Sequence, residues 1–390
     1  MFVNAAESEP TPAGRITIAG VGGAGCHIIA RMVAAMPEGP KCVAIDTDTR
    51  CLDISGAPSR LQIGKRVAKG MGAGGDVSLG RLAASNDAEL VEAMLADTDL
   101  LLIVAGLGGG VGTGAVPMIL ETARDADVMT FCFLTLPFAF EETPREETAR
   151  GGLARIQSQA DAVIALPNDA LSAWLGENVR IDKAFERAEE VTCEAVTAVW
   201  TLLANPGVIN LDFADLRRIV QNTGGVCAYG IGHGRGKQRA EAAVNAALNF
   251  PLLKNGRSLE ESPSVLVNIS GGGATTLTEI RTVMDKVKEA ARADARIVMG
   301  TALKERADTR LSVMILTGVQ RPTTIVHQEL DVELDGERPP DPDKEAEATQ
   351  VDLPLVEPGR GRFQDVEPTI FRGEDLDIPS YVRRKITIEK

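Results

Sequence analysis

Histidine and aromatic side chains are scarce in this chain of 390 residues, which has three histidines, two tryptophans, two tyrosines and ten phenylalanines. His27, His233 and His327 lie far apart in sequence, which argues against a histidine-built zinc centre or a histidine-activated nucleophile. The six cysteines (Cys26, Cys42, Cys51, Cys132, Cys193, Cys227) form no CxxC pair, and several sit in apolar runs. They read as small buried hydrophobes of a reducing, cytoplasmic compartment. No stretch approaches the roughly 18 consecutive apolar residues of a membrane span. Met1–Gly14 has neither the basic start nor the apolar stretch of a signal peptide, so direct membrane insertion is not expected. A GxxxxGK[ST] loop is missing, which excludes the P-loop hydrolases. A basic stripe is missing too. The net charge is −14, with 16 acids against 5 bases in residues 329–378 and a net of +3 in the last twelve. No nucleic-acid partner is expected of such a chain.

What remains is a globular composition, 44% hydrophobic and 25% charged, too long for one small core. Strand-like runs at Arg15–Ala19, Lys41–Ile45, Leu100–Ala105, Val128–Leu136 and Ala162–Leu166 alternate with helix-length segments. That order predicts βαβ units and a parallel sheet covered on both faces. Phe185, Ala188, Val191, Ala195, Val199 and Leu202 recur at spacings of three and four. They predict a long helix from Asp182, its N-cap, to Asn205, stopped by Pro206-Gly207. Beyond it, strands at Ser264–Ile269, Arg296–Met299 and Leu311–Leu316, with a helix over Thr276–Ala293, predict a smaller α+β domain. Residues 320–374, rich in Pro, Glu and Asp, read as a flexible linker.

Three glycine-rich loops follow predicted strands. Glycine serves there because backbone must approach phosphate closely, and a helix N-terminus behind it adds aligned N–H donors. Gly20-x-Gly22-x-x-Gly25 matches the dinucleotide fingerprint, a weak signal alone that an NAD-dependent oxidoreductase would share. Against that reading stand a denser loop, Gly108-Gly109-Gly110-Val111-Gly112-Thr113-Gly114, and a third, Gly70–Gly75. Three such loops suit a triphosphate better than a pyrophosphate. Asp212 and Asp215, three residues apart, can cap a helix or orient a water molecule. Phe185, on the apolar face of its helix, suits core packing and base stacking equally.

Gly108–Gly114 resembles the GGGTGTG loop of the tubulin/FtsZ superfamily. The likeness continues through Phe138-Ala139-Phe140-Glu141 with Arg145, through Leu166-Pro167-Asn168-Asp169, and through Pro206–Asp215. It ends in the tail segment Asp377–Arg384, and it favours the FtsZ branch over eukaryotic tubulin. The resemblance implies an α/β fold in which a Rossmann-like GTPase domain (15–182) is joined by a central helix (183–205) to an α+β domain (206–319). A disordered tail (1–14), an acidic disordered linker (320–375) and a partner-binding peptide (376–390) complete it. It further implies a polymerising GTPase of cell division that binds GTP or GDP, with Mg2+ held through the phosphates.

By the same resemblance, Gly22, Gly23, Ala24, Gly25, Cys26 and His27 line the first phosphate loop, and Gly108 to Gly114, including Val111 and Thr113, the second. Asp46 lies on the loop after the second strand, and Ala73 and Gly74 face the γ-phosphate. Glu141 binds ribose, Arg145 lies near the phosphates, and Asn168, Phe185 and Glu189 hold guanine. Asn210, Asp212 and Asp215 complete a neighbour's site in a head-to-tail polymer. Asp377–Arg384 docks on membrane-tethering division proteins at the division site. Four positions depart from the family pattern. Val111 removes a hydroxyl, His27 stands for Asn, Asp46 adds a charge where Asn is usual, and Glu189-Glu190 replaces an Asn-Asp pair. They leave open a nucleotide-binding filament protein of the same fold with weak or no hydrolysis.

Overall fold

The computed structural model describes residues 15–36, 39–141, 143–170, 179–204, 216, 226–253, 257–304, 309–318, 370–371 and 374–375. The strands of its main sheet are β1 (Ile16–Val21), β2 (Lys41–Asp46), β3 (Ser59–Gln62), β4 (Leu100–Gly106), β5 (Met129–Leu136), β6 (Ala162–Pro167), β7 (Val226–Arg235), β8 (Ser264–Gly272), β9 (Arg296–Lys304) and β10 (Arg310–Gly318). The helices are α1 (Gly22–Ala35), α2 (Thr49–Ile54), α3 (Lys65–Ala68), α4 (Val77–Asn86), α5 (Ala88–Leu95), α6 (Gly110–Asp125), α7 (Thr143–Gln157), α8 (Ile181–Ala204), α9 (Arg239–Leu248), α10 (Arg257–Glu261) and α11 (Leu277–Ala290). Separately, Ile370–Phe371 and Glu374–Asp375 pair as a two-stranded ladder.

The sheet runs β3-β2-β1-β4-β5-β6-β7-β10-β8-β9. β1 to β6 are mutually parallel, and β7 joins β6 through only two residue pairs, Val163 with Val226 and Ile164 with Cys227. β10 lies antiparallel to both β7 and β8, and β8 is parallel to β9. Period-two alternation sorts the strand residues to two faces. Leu100, Leu102 and Val104 of β4 join Ile18, Phe131 and Phe133 under α1 and α8. Leu101, Ile103 and Ala105 join Ala83, Ala115, Val116 and Ile119 of α4 and α6 on the other side. All six β4 residues are inaccessible to solvent. Burying each aliphatic side chain contributes about 1.5–3 kcal/mol, which offsets the roughly 1–2 kcal/mol of ordering its backbone.

α8 packs on both halves of the sheet. Ala188, Val191, Ala195, Val199 and Leu202 share one apolar cluster with Phe131, Tyr229, Leu266, Met314 and Leu316. The helix begins at Ile181, and Asp182 lies in its first turn, pairing with Arg180 through Nε (3.0 Å) and Nη2 (2.9 Å). The expected N-cap role of Asp182 is thus replaced by an ion pair. A larger departure is β7, which sequence reading left without a strand. Its glycines are the reason. A Cβ at Gly232 would lie 2.1 Å from Ala243 O, and one at Gly234 1.9 Å from Arg239 O, because α9 is seated against that face. A glycine-rich run reads as a loop from sequence, yet here it is a strand that a helix approaches closely.

The second half of the molecule is pinned by Arg239, which is 8% exposed. Its Nε donates to Glu279 Oε1 (2.6 Å), its Nη2 to Glu279 Oε2 (3.1 Å) and Ala274 O (3.2 Å), and its Nη1 to Thr309 O (3.2 Å). Glu279 also closes the capping box of α11 with Thr276. The Arg239 guanidinium is the main reason its carboxyl is lowered to about 2. A depressed pKa stabilises the fold above the unfolded value and loses that contribution as pH falls from there through about 2. Arg239→Ala should destabilise this half by about 3–5 kcal/mol in urea unfolding, since it leaves a carboxylate unpaired. Glu279→Gln should make the acid-induced loss of stability below pH 4.5 shallower than in the wild type, by the share that Glu279 contributes.

Candidate functional site

Strand order reverses between β1 and β4, since the chain passes from β1 outward to β2 and β3 before returning to β4. Val21 pairs with Ala105 at the carboxyl ends of these strands, so the first two glycine loops emerge side by side. In open parallel sheets ligands bind at such a switch point.

α1 starts at Gly22 and α6 at Gly110, and no side chain caps either N-terminus. In α2, α4 and α11 that position is filled by Asp48, Asp76 and Thr276. Two uncapped helix starts side by side present N–H donors and positive dipole ends to an anion. The glycines divide by what surrounds them. A Cβ at Gly25 would meet Val104 O at 2.5 Å, and one at Gly112 would meet Gly106 O at 2.3 Å, so these serve close packing. Gly109 and Gly74 have nothing within 4 Å, and Gly23 has only Cys51 Sγ at 3.7 Å. These three line open space. Gly108 has φ +90°, and a Cβ there would collide with Arg145 Cγ at 2.6 Å.

Within the second loop the Thr113 hydroxyl accepts from the Gly108 amide at 2.9 Å and is buried. Val111 is 7% exposed and belongs to the apolar cluster beneath the loop. Gly114 packs on α4, where a Cβ would lie 2.2 Å from Val77 O. In the third loop Ala73 is buried, with its Cβ 2.8 Å from the position a Cβ at Gly110 would take. Met71 bridges to Asp48, which ties that loop to the turn after β2. Asp46, expected on the loop, is instead the last residue of β2, paired with Gln62, and it accepts from the Thr47 amide (2.6 Å) and the Asp48 amide (3.0 Å). It is buried, and burial raises its pKa against the lowering effect of those bonds. Cys26 is fully buried in the core, where desolvation pushes its thiol pKa upward.

Beside the loops lies a narrow cleft of about 80 Å³. It brings together Ala24, Glu141, Arg145, Asn168, Phe185 and Glu189 from helices and turns that are distant in sequence. Glu141 accepts from the Phe138 amide (2.9 Å), and its other oxygen lies 3.2 Å from Arg145 Nη1. Asn168 is 6% exposed, and its Oδ1 is buried without a hydrogen-bond partner. Phe185 is half-buried and meets Phe138 edge-on at 5.0 Å. Glu189 accepts from His27 Nδ1 (3.2 Å) and Arg31 Nε (2.7 Å). The Glu189 bond and charge raise the His27 pKa, while burial lowers it. Arg31 was missed by sequence reading. Its signal is the spacing of four from His27 on α1, which puts both cations on one face. Asn210, Asp212 and Asp215, and the tail segment from Asp377 to Arg384, lie outside the described residues.

Uncapped helix starts at the switch point of a doubly wound sheet, next to a cleft with an aromatic wall, define a nucleotide-binding protein. A family model for the Tubulin/FtsZ family, GTPase domain, matches residues 15–176, and one for the FtsZ family, C-terminal domain, matches residues 225–320. Cell division protein FtsZ 1 of Archaeoglobus fulgidus is 36% identical over 308 residues, covering 79% of this chain and 83% of that protein. Cell division protein FtsZ of Aquifex aeolicus is 35% identical over 302 residues, covering 77% and 82%. The structure of an FtsZ dimer from M. jannaschii matches with TM-score 0.73 at 34% identity, over 78% of this chain and 88% of that one. CetZ2 from Haloferax volcanii shares the fold at TM-score 0.63 and 22% identity, over 79% and 94%. The chain belongs to the FtsZ family of cell-division proteins, with a tubulin-type GTPase domain. No described helix is long and apolar enough to cross a membrane.

The glycine surroundings make a pair of substitutions informative. Gly109→Ala should leave thermal unfolding nearly unchanged, since its methyl meets no protein atom, yet weaken GDP binding at least tenfold in calorimetric titration. Gly108→Ala should instead lower stability by about 1–3 kcal/mol through its positive φ and the collision with Arg145.

Proposed function

We propose that the chain binds GTP in this cleft, assembles head to tail, and hydrolyses the nucleotide where one subunit completes the site of the next. The carrying observation is the acceptor character of the cleft's inner wall. Asn168 Oδ1 has no partner, and Glu189 is a carboxylate held below its ordinary pKa because, although burial is the largest single influence and opposes it, the bonds and charges of His27 and Arg31 together outweigh it. Such a wall calls for a base edge rich in donors. Guanine offers N1–H and an exocyclic amine; adenine presents an acceptor at N1. Phe185 supplies a face for the ring, and Glu141 a carboxylate for ribose hydroxyls. Phosphates then lie against Gly22 to His27 and Gly108 to Gly114, with Ala73 and Gly74 nearest the γ-phosphate and Arg145 beside them.

Among the described residues no cluster of three metal-ligating side chains occurs, and both Asp46 and Asp48 already hold local partners. Magnesium is therefore assigned to the phosphates themselves, where it would neutralise their charge. The hydrolytic groups are proposed from sequence. Asn210, Asp212 and Asp215 of the adjoining subunit orient water, whose oxygen bonds to the γ-phosphorus as the bridging bond to the β-phosphate breaks, giving GDP and orthophosphate. The structure of the M. jannaschii relative is that of a dimer, which supports self-association. A head-to-tail interface that does not close generates a filament. The GTPase portion is proposed as 15–182, the following helix as 183–205 and the second domain as 206–319. The stretch 320–375 is proposed as a linker, and 376–390 as a peptide that binds membrane-tethering partners at the division site.

Phosphate release per subunit should rise steeply with protein concentration and track light scattering in GTP, while GDP and ATP give neither. Asp212→Ala should lower turnover by about 10² or more, with GDP affinity unchanged within threefold, because a residue acting on the neighbour's nucleotide adds nothing to monomer binding. Turnover independent of concentration would overturn the shared-site reading. The loop contains no free hydroxyl at Val111, and that of Thr113 is engaged with Gly108. This favours, as second reading, a filament that turns over slowly, in which case scattering appears without phosphate release.

A further inference from the structure

Glu189 stands between the cleft and two cations that do not line it. Its Oε2 takes Arg31 Nε at 2.7 Å and its Oε1 takes His27 Nδ1 at 3.2 Å. Each bond occupies one lone-pair position, and a carboxylate has about four. Acceptor capacity therefore remains on Glu189, which lines the cleft together with Asn168 and Phe185. The adjacent Glu190 is directed elsewhere, to Arg187 at 3.0 Å and Arg31 at 3.9 Å, and it does not line the cleft.

We propose that Arg31 is a positioning residue for base selection: by clamping Glu189 from behind, it keeps an acceptor-only carboxylate aimed at the purine edge. The inference rests on the guanine reading above and deepens it. A glutamate on a helix has three side-chain torsions and would otherwise swing toward solvent. Burial is the largest single influence on Glu189 and favours its neutral form; the bonds and charges of Arg31 and His27 together outweigh it. Released from Arg31, the side chain would either leave the wall or take up a proton. A protonated carboxyl can donate to the N1 acceptor of a 6-aminopurine, so loss of the clamp removes the discrimination and not merely the strength of binding. His27 alone is a weaker clamp, because its bond is longer and its side chain is 47% exposed.

The test uses calorimetric titration of the full chain with GDP, ADP and IDP, which lacks the 2-amino group, so that assembly and hydrolysis do not intervene. The wild type should prefer GDP to both competitors. Arg31→Gln should reduce the GDP/ADP preference by about tenfold or more, with ADP affinity unchanged or raised and the unfolding temperature of the free protein little changed. Arg31→Lys, which keeps a charge but presents a point donor, should recover part of the preference. Glu189→Gln should lose it as fully as Arg31→Gln and without recovery. Parallel weakening of GDP, ADP and IDP, or an unchanged preference in Arg31→Gln, overturns the positioning role while leaving guanine binding intact. Equal binding of GDP and ADP by the wild type overturns the guanine reading itself and the inference with it.

Discussion

Gly22, Gly25 and Gly112 let two helices begin directly above two adjacent strands, and the rest of the site depends on that approach. A Cβ at Gly22 would lie 3.0 Å from the Gly112 amide, one at Gly25 2.5 Å from Val104 O, and one at Gly112 2.3 Å from Gly106 O. The opposing atoms are backbone, so no rotamer change relieves these contacts. With hydrogen in place of Cβ, α1 and α6 settle onto β1 and β4 where the strand order reverses. Their uncapped first turns then face the same space as the cleft bounded by Glu141, Asn168 and Phe185.

This arrangement answers an electrostatic difficulty. A chain of net charge −14 gains nothing from long-range attraction for a polyanion. Local dipoles must supply the affinity instead. A helix N-terminus contributes about 0.3–1 kcal/mol toward an exposed anion and up to about 2 when partly buried, and the free amides add directed hydrogen bonds. Asp46 would oppose this if its charge pointed at the phosphates, the role its sequence position suggested. In the fold its carboxyl turns back onto the amides of Thr47 and Asp48, and burial favours its neutral form. The repulsion is reduced at its source.

The parallel half of the sheet was legible because β1, β2, β4, β5 and β6 are short, largely apolar runs separated by helix-length segments. β7 was not, since its alternate glycines exist to admit α9 and carry no apolar period on that face. Strand order was also hidden. Sequence order places β2 and β3 between β1 and β4, whereas space places β1 directly beside β4. The glycine loops were readable one by one, and their convergence was supplied by family resemblance. Glu189 was read as a base contact, but its two cationic partners were invisible, as α1 and α8 lie more than 150 residues apart. The spacing of four between His27 and Arg31 puts them on one face of α1, but nothing in it says that Glu189 meets that face.

α8 connects the cleft to the second half of the sheet, and its two ends are held by different forces. Near the cleft, Glu189 makes short charge-assisted bonds of 2.7–3.2 Å, and Phe185 packs on Phe138. Farther along, the polar contacts are longer. Glu194 lies 3.5 Å from His233 Nε2, and Asn268 Nδ2 reaches Ala198 O at 3.4 Å. On this seam Tyr229 Oη and Asn268 Oδ1 are buried without hydrogen-bond partners. Each such atom costs about 1–3 kcal/mol of desolvation, so the seam is stabilised chiefly by apolar contacts among Val199, Leu202, Leu266 and Met314. Apolar contacts tolerate sliding better than directed bonds do, because their energy follows buried area and not angle. Directed, charge-assisted bonds therefore hold the cleft end of α8, whereas apolar burial holds its far end.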